Sequence, residues 1–340
     1  MIKRLLFALL FVSVTALLGY YFYLSRKKGP SALTQGYQLV ADWPRLPYGF
    51  LLGNPTGMDM DSSGNLVVFH RAGRRWPTSG VMPKEKIADP TVLVLYPDNG
   101  ALIRSWGDGM FIMPHGLKID QQSNIWVTDV GLHQVMKFNA DGRLLMTLGE
   151  AGVPGKDDVH FDKPTDVAFG NDGSFFVSDG YGNSRVMHFT ADGSLIRAWG
   201  TKGSGSGEFN IPHGLSTDSE GHLLVADREN NRIQVFDTSG KLLEMITDHS
   251  YGAVTCVRST GSGIFFADDI SFWGIGHQGS DLIFLNSQKK PEFRFGRSGG
   301  YAGAKTWYHA MTIDKQGNIY VGDILGNTLQ KFQPIIGKRL

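Results

Sequence analysis

Three histidines occur in related settings: His115 in MPHGLKID, His213 in IPHGLSTD and His309 in WYHAMTID. Each stands just before an alternating apolar run that reads as a β-strand. One Pro-His-Gly is an ordinary turn with the histidine at a strand end. Three at matched places matter more if the fold brings those places together. Three converging imidazoles with a fourth position open suit a catalytic zinc. His133, His188, His222 and His249 fall at unrelated positions and are expected on the surface.

A second set lies in turns that follow strands: Arg71 in FHRAGRRW, Tyr181 in SDGYGNSR and Arg228 in ADRENNR. A tyrosine inside a glycine-rich turn cannot easily join a core. It either lies on a neighbour or points into a shared space. An arginine that follows an aspartate often makes a structural ion pair, and Arg185 and Arg232 read that way; Arg228 is open to both readings. Asp129, Asp179, Asp227 and Asp323 recur at one place in the pattern and read as turn formers.

What must position these residues is a repeat. Strand–turn–strand units begin at 57, 116, 166, 214, 255 and 310, for example GMDMDSSGNLVVFHR and GLSTDSEGHLLVADR. A third strand usually follows (HQVMKF, SRVMHF, NRIQVF), and often a fourth, as in GSLIRAWG. Units of about forty to sixty residues with four strands each cannot bury both faces alone, so they stack around an axis. The chain reads as all-β, a six-bladed β-propeller over 37–340, with 37–43 supplying a strand that closes the ring. In such a ring the starts of the inner strands face the central channel. The three histidines fall in alternate blades, roughly 120° apart. Blades three and five carry Thr165 and Val254 near that place, so histidine is not a default of the repeat. The turns holding Arg71, Tyr181 and Arg228 lie near the same mouth.

The composition fits this. Glycine is frequent (44 of 340) and spread along the chain, as tight turns between short strands require. The formal charge of +1 shows no footprint for nucleic acid. Cys256 is the single cysteine, so no internal disulfide can form. At the N-terminus, residues 5–24 carry no charge and lie between Lys3-Arg4 and Arg26-Lys27-Lys28. That run is long enough to span a bilayer. Tyr20, Tyr21 and Tyr23 read as an interfacial belt. The expectation is an uncleaved anchor over 1–28, a linker over 29–36, and a propeller outside the cytoplasmic membrane.

PHGLKID, IWVTDVGLHQVMKF, KPTDVAF, FVSDGYGNSR, IPHGL and VADRENNRIQVF together resemble the peptidyl-α-hydroxyglycine α-amidating lyases, six-bladed propellers of NHL-type repeats. The resemblance covers nearly the whole propeller. It implies a zinc on His115, His213 and His309, with Tyr181, Arg71 and Arg228 in the active site. It implies cleavage of the N–C bond of a peptide ending in α-hydroxyglycine, giving an amide and glyoxylate. Tyr181 would take the hydroxyl proton, Arg71 would support the phenolate, and Arg228 would hold the substrate carboxylate. The resemblance also implies a structural calcium, held by an aspartate after the third histidine and by backbone carbonyls, one near Leu117. Here Ala310 stands in place of that aspartate and Trp307 in place of a methionine. Gly182, Leu224 and Val235 stand where animal members have disulfide cysteines. The family's substrate comes from a copper monooxygenase; here either a separate protein supplies it, or the chain cleaves another carbinolamide or hydroxy-acid-derived amide.

Two other readings remain open on the sequence. One is a non-catalytic NHL propeller that binds protein or ligand at its mouth. The other is a lactonase-like propeller hydrolase, whose calcium prefers carboxylate and amide oxygens, whereas this channel offers imidazoles.

Overall fold

A four-stranded blade has two apolar faces and covers them only by stacking on its neighbours. In the computed structural model, which describes residues 36–272, 276–296 and 305–335, the strands form six antiparallel sheets of four. Blades one to five occupy residues 55–106, 114–148, 166–199, 212–247 and 253–296. Their innermost strands are β2 (Pro55–Met60), β6 (Pro114–Ile119), β10 (Asp166–Phe169), β14 (Pro212–Thr217) and β18 (Ala253–Thr260). Blade six starts at β22 (Tyr308–Ile313) and takes its outer strand from the other end of the chain. There β1 (Tyr37–Leu39) pairs antiparallel with β24 (Thr328–Pro334), closing the ring as expected.

Burial falls from axis to rim. β6 and β14 are buried along all but their last residue, while the outer strands Leu102–Trp106 and Leu195–Trp199 are exposed at their centres. Aromatic side chains fill the wedges between blades. Trp126 and Phe175, with ring centroids 4.5 Å apart, join blades two and three. The first two strands of a blade meet in a tight turn. In blade one the Asp61 carbonyl accepts from Gly64 N at 2.9 Å and its carboxylate from Asn65 N at 2.8 Å. Gly64 has φ +82°, which glycine adopts without steric cost.

An irregularity in the inner strands matters most for function. In five blades the pairing register slips at the same place, around Thr56, His115, His213, Thr255 and His309. A bulge adds one residue to a strand and re-aims its side chain. These residues, with Thr165 just ahead of β10, line the central channel. The position expected for Val254 is thus held by Thr255. The bulge displaces the register by one, and Val254 turns into the core instead.

Two histidines expected on the surface are buried, His133 at 7% exposure and His188 at 5%. His188 stacks on Phe176, centroids 4.1 Å apart, and its Nε2 lies 2.9 Å from Ser174 Oγ. His133 accepts at Nδ1 from the backbone N of Lys163 at 3.2 Å. His188 lies on the strand Arg185–Phe189, where blade stacking gives both faces neighbours, so an alternating polar position need not meet solvent. His133 sits in the turn before Gln134–Phe138 and is buried against the Lys163 turn by that bond. Among the described residues no helix is long and apolar enough to cross a membrane. The expected anchor over 1–28 and most of the linker lie outside the described residues.

Candidate active site

The bulges bring six alternating residues to the axis: Thr56, His115, Thr165, His213, Thr255 and His309. Their chemistry interlocks. His115 Nδ1 lies 2.7 Å from the Thr165 carbonyl, His213 Nδ1 2.6 Å from that of Thr255, and His309 Nδ1 2.9 Å from that of Thr56. A carbonyl only accepts, so each neutral ring carries its proton on Nδ1 and turns the Nε2 lone pair to the axis. The ring centroids are 4.8, 4.6 and 4.7 Å apart. The candidate ligand atoms lie within 4.8 Å of one another.

Electrostatics keep these rings neutral. Burial pushes His115 and His213 well below the ordinary histidine range, and His309 beside each of them adds to the effect. Burial, then Arg71, lowers His309 to about 3. Three buried neutral imidazoles, each oriented by a carbonyl behind it, are the donor set that a zinc ion takes. The residues present fit that metal.

Tyr181 caps the triangle. Its hydroxyl oxygen lies 3.1 Å from His115 Nε2 and 3.2 Å from His213 Nε2. The flanking glycines explain how the turn gets there. A Cβ on Gly180 would come within 2.1 Å of the Pro212 carbonyl, and one on Gly182 within 2.1 Å of the Asp162 carboxyl. Only a residue without a side chain passes those points, so the tyrosine is carried over the channel between them.

The two arginines are both close, in different ways. Arg228 donates from Nη1 to the Tyr181 oxygen at 3.3 Å and from Nε to Glu229 at 2.9 Å. Burial opposes its charge, yet Tyr181 and Glu229 hold its pKa above the ordinary value. Arg71 is 2% exposed and donates from Nε to the Pro114 carbonyl at 2.9 Å. Burial brings it down to about 10, opposed by Tyr181 and Asp129. So the hydrogen bond to the phenol comes from Arg228, while Arg71, expected to support the phenolate, interacts with Tyr181 through charge and makes no hydrogen bond to it among the described residues. Which guanidinium reaches the phenol depends on the conformation of each turn, and spacing does not encode it.

Sequence reasoning missed Trp76. Its ring lies 5.1 Å from that of Tyr181, with the Arg71 guanidinium 5.1 Å from its centroid. The missed threonines, Thr56 and Thr255, left a trace, since PTG and VTC stand where the histidine blades have PHG or YHA. Trp307 is partly buried, and its backbone N donates to Asp323.

The residues read as structural are so. Asp129 accepts from the backbone N–H groups of Ile112, Met113, Gly131 and Leu132 at 2.8–3.0 Å. Arg185 pairs with Asp179 at 2.9 Å and Arg232 with Asp227 at 2.7 Å. Calcium does not fit. Ala310 offers no side-chain oxygen, and the side chains of Lys118 and Arg258 already bond the carbonyls of Leu215, Met311 and Met58 deeper in the channel.

Comparison with known proteins agrees with this architecture. The family described as NHL repeat matches residues 161–189 and 209–236, in blades three and four. A probable peptidyl-alpha-hydroxyglycine alpha-amidating lyase of Caenorhabditis elegans is 41% identical over 196 residues, 54% of this chain and 56% of that protein. The peptidyl-glycine alpha-amidating monooxygenase B of Xenopus laevis is 37% identical over 316 residues, 86% of this chain. The chain spans about a third of that protein's length (35%). A streptogramin B lyase structure superposes with a TM-score of 0.54 at 15% identity, covering 88% of this chain and 98% of that one, which supports the fold alone. The chain is an NHL-repeat six-bladed β-propeller and a homologue of the proteins named peptidyl-alpha-hydroxyglycine alpha-amidating lyase.

Proposed function

We propose that this chain is a zinc-dependent lyase that cleaves the N–C bond of a peptidyl-α-hydroxyglycine-like carbinolamide to an amide and glyoxylate. The observation that carries the reading is the convergence of three neutral histidines, the Tyr181 hydroxyl and Arg228 on one axis. The homologues' names support the same chemistry.

His115, His213 and His309 would hold the zinc, which when bound supplies Lewis acidity to a substrate oxygen. Tyr181 takes the α-hydroxyl proton as general base, and Arg228 stabilises the phenolate by its hydrogen bond. As the O–H pair becomes the carbonyl of glyoxylate, the C–N bond breaks and the amide nitrogen takes a proton. Arg71 is the better candidate for the substrate carboxylate. Its Nη atoms have no hydrogen-bond partner among the described residues, and a guanidinium grips a carboxylate at two points. This exchanges the two arginine roles expected from the sequence. Trp76 covers one side of the Tyr181 ring.

In the same reading, residues 1–28 anchor the propeller on the extracytoplasmic side, and a separate monooxygenase supplies the carbinolamide. The first experiment uses the detergent-solubilised full chain. Metal content by mass spectrometry is read together with glyoxylate release from a peptide ending in α-hydroxyglycine, for wild type and His213→Ala. About one zinc per chain, with metal and turnover both lost in the variant, is the expected result. Zinc without glyoxylate would overturn the substrate, and no zinc would leave a binding propeller.

A further inference from the structure

Three residues beyond His115 and Thr255, the channel holds two cations that the proposed chemistry does not use, Lys118 buried and Arg258 partly buried. Lys118, on β6, reaches across the axis. Its Nζ lies 3.1 Å from the Leu215 carbonyl on β14 and 3.1 Å from Asp166 Oδ2 on β10. The same carboxylate oxygen accepts from Leu215 N at 2.9 Å. Arg258, on β18, donates from Nε to the Met311 carbonyl on β22 at 3.0 Å and from Nη2 to the Met58 carbonyl on β2 at 3.0 Å. Its Nη2 also lies 3.1 Å from Asp59 Oδ1. Asp59 in turn accepts from Ile119 N at 3.1 Å and from Thr312 Oγ1 at 3.0 Å.

Each cation therefore ties three inner strands. Lys118 and Asp166 link blades two, three and four. Arg258 and Asp59 link blades five, six and one. Every inner strand is held, and those that carry His115, His213 and His309 are all included. Inward carbonyls with carboxylates between them are the oxygen set a hard divalent ion would collect. Here two side-chain cations already collect it, and paired with Asp166 and Asp59 they leave no net negative charge to draw a further cation.

We propose that Lys118 and Arg258 are the built-in cations of this channel, gathering the inward carbonyls so that the ring holds its histidine triangle without calcium. They are positioning residues. They touch no reacting atom, and they fix the spacing of the strands from which the ligands hang.

The test compares thermal unfolding and zinc affinity of the full chain with and without millimolar calcium, for wild type, Arg258→Met and Arg258→Lys. Wild type is expected to unfold at the same temperature in both buffers. Arg258→Met is expected to lose roughly 10 °C and to bind zinc about tenfold more weakly. Calcium should recover part of the thermal loss, which a mere packing defect would not allow. Arg258→Lys keeps a charge at the site and should retain most of the stability. A wild type stabilised by calcium would overturn the proposal. So would an Arg258→Met as stable as wild type, or one that calcium leaves unchanged. If Arg258→Met does not fold, Arg258→Lys decides: retained stability supports the proposal and an equal collapse overturns it. The thermal readout needs no substrate, so it stands apart from the lyase reading.

Discussion

The phenol of Tyr181 and the guanidinium of Arg228 meet across a blade boundary, Oη to Nη1 at 3.3 Å, with the guanidinium carbon 5.4 Å from the ring centroid. The arginine addresses the ring face and the hydroxyl together, so the oxygen is held toward His115 and His213 rather than toward solvent.

From that pairing, Tyr181→Phe keeps the ring and deletes the base. Turnover is expected to fall by about 10²–10⁴, the usual contribution of a positioned general base, with zinc content unchanged. Arg228→Gln should lower kcat in the same direction and leave zinc in place. Glyoxylate release and metal analysis on the same samples check both. A Tyr181→Phe protein with the wild-type rate would remove the tyrosine from the mechanism.

A histidine away from the metal centre sets a pH dependence of stability. His70 is 1% exposed, and burial lowers it to about 4. Its Nδ1 accepts from Gly53 N at 3.3 Å and from Ala72 N at 3.1 Å, which requires the neutral ring. The unfolded chain binds that proton near pH 6.5 and the folded one does not, so stability is full above about 6.5 and lost as pH falls toward 4. The loss from this group is about 2 kcal/mol by pH 5. Chemical denaturation of wild type and His70→Asn between pH 7 and 5 measures it. Identical slopes in the two proteins would refute the assignment.

The glycine before Tyr181 tests how the turn is built. Gly180→Ala sets a Cβ within 2.1 Å of the Pro212 carbonyl, so the backbone must move. A loss of roughly 1–3 kcal/mol is expected, the cost of forcing extra volume into a packed site. Activity should fall further than stability alone explains, because Tyr181 moves with the turn. Unchanged kinetics in a folded Gly180→Ala protein would mean that the tyrosine's placement is not critical.

Much of this was legible in the sequence, and the limits have physical causes. The repeat spacing carried the ring, and Pro-His-Gly at matched places carried the histidine triangle. Thr255 was misread as Val254 because a bulge shifts register by one, and a bulge leaves no composition signal. The arginine roles depend on which guanidinium reaches past a turn, which spacing does not record. Lys118 in GLKID falls at a polar place of an alternating strand. A closed ring turns that place into an interior, and only closure reveals that the lysine has carbonyls rather than water around it.

The pairing of β1 with β24 has a temporal meaning. β1 waits for β24, made roughly 300 residues later, which at ribosomal speeds is about 15–60 s. Until then the growing chain is an open arc with unsealed edges, the state most exposed to wrong partners. The third imidazole, His309, sits on the final blade, and the carbonyl that orients it belongs to Thr56 on the first. The histidine triangle is thus complete only when the ring has shut, and loading of a metal there would report a finished fold.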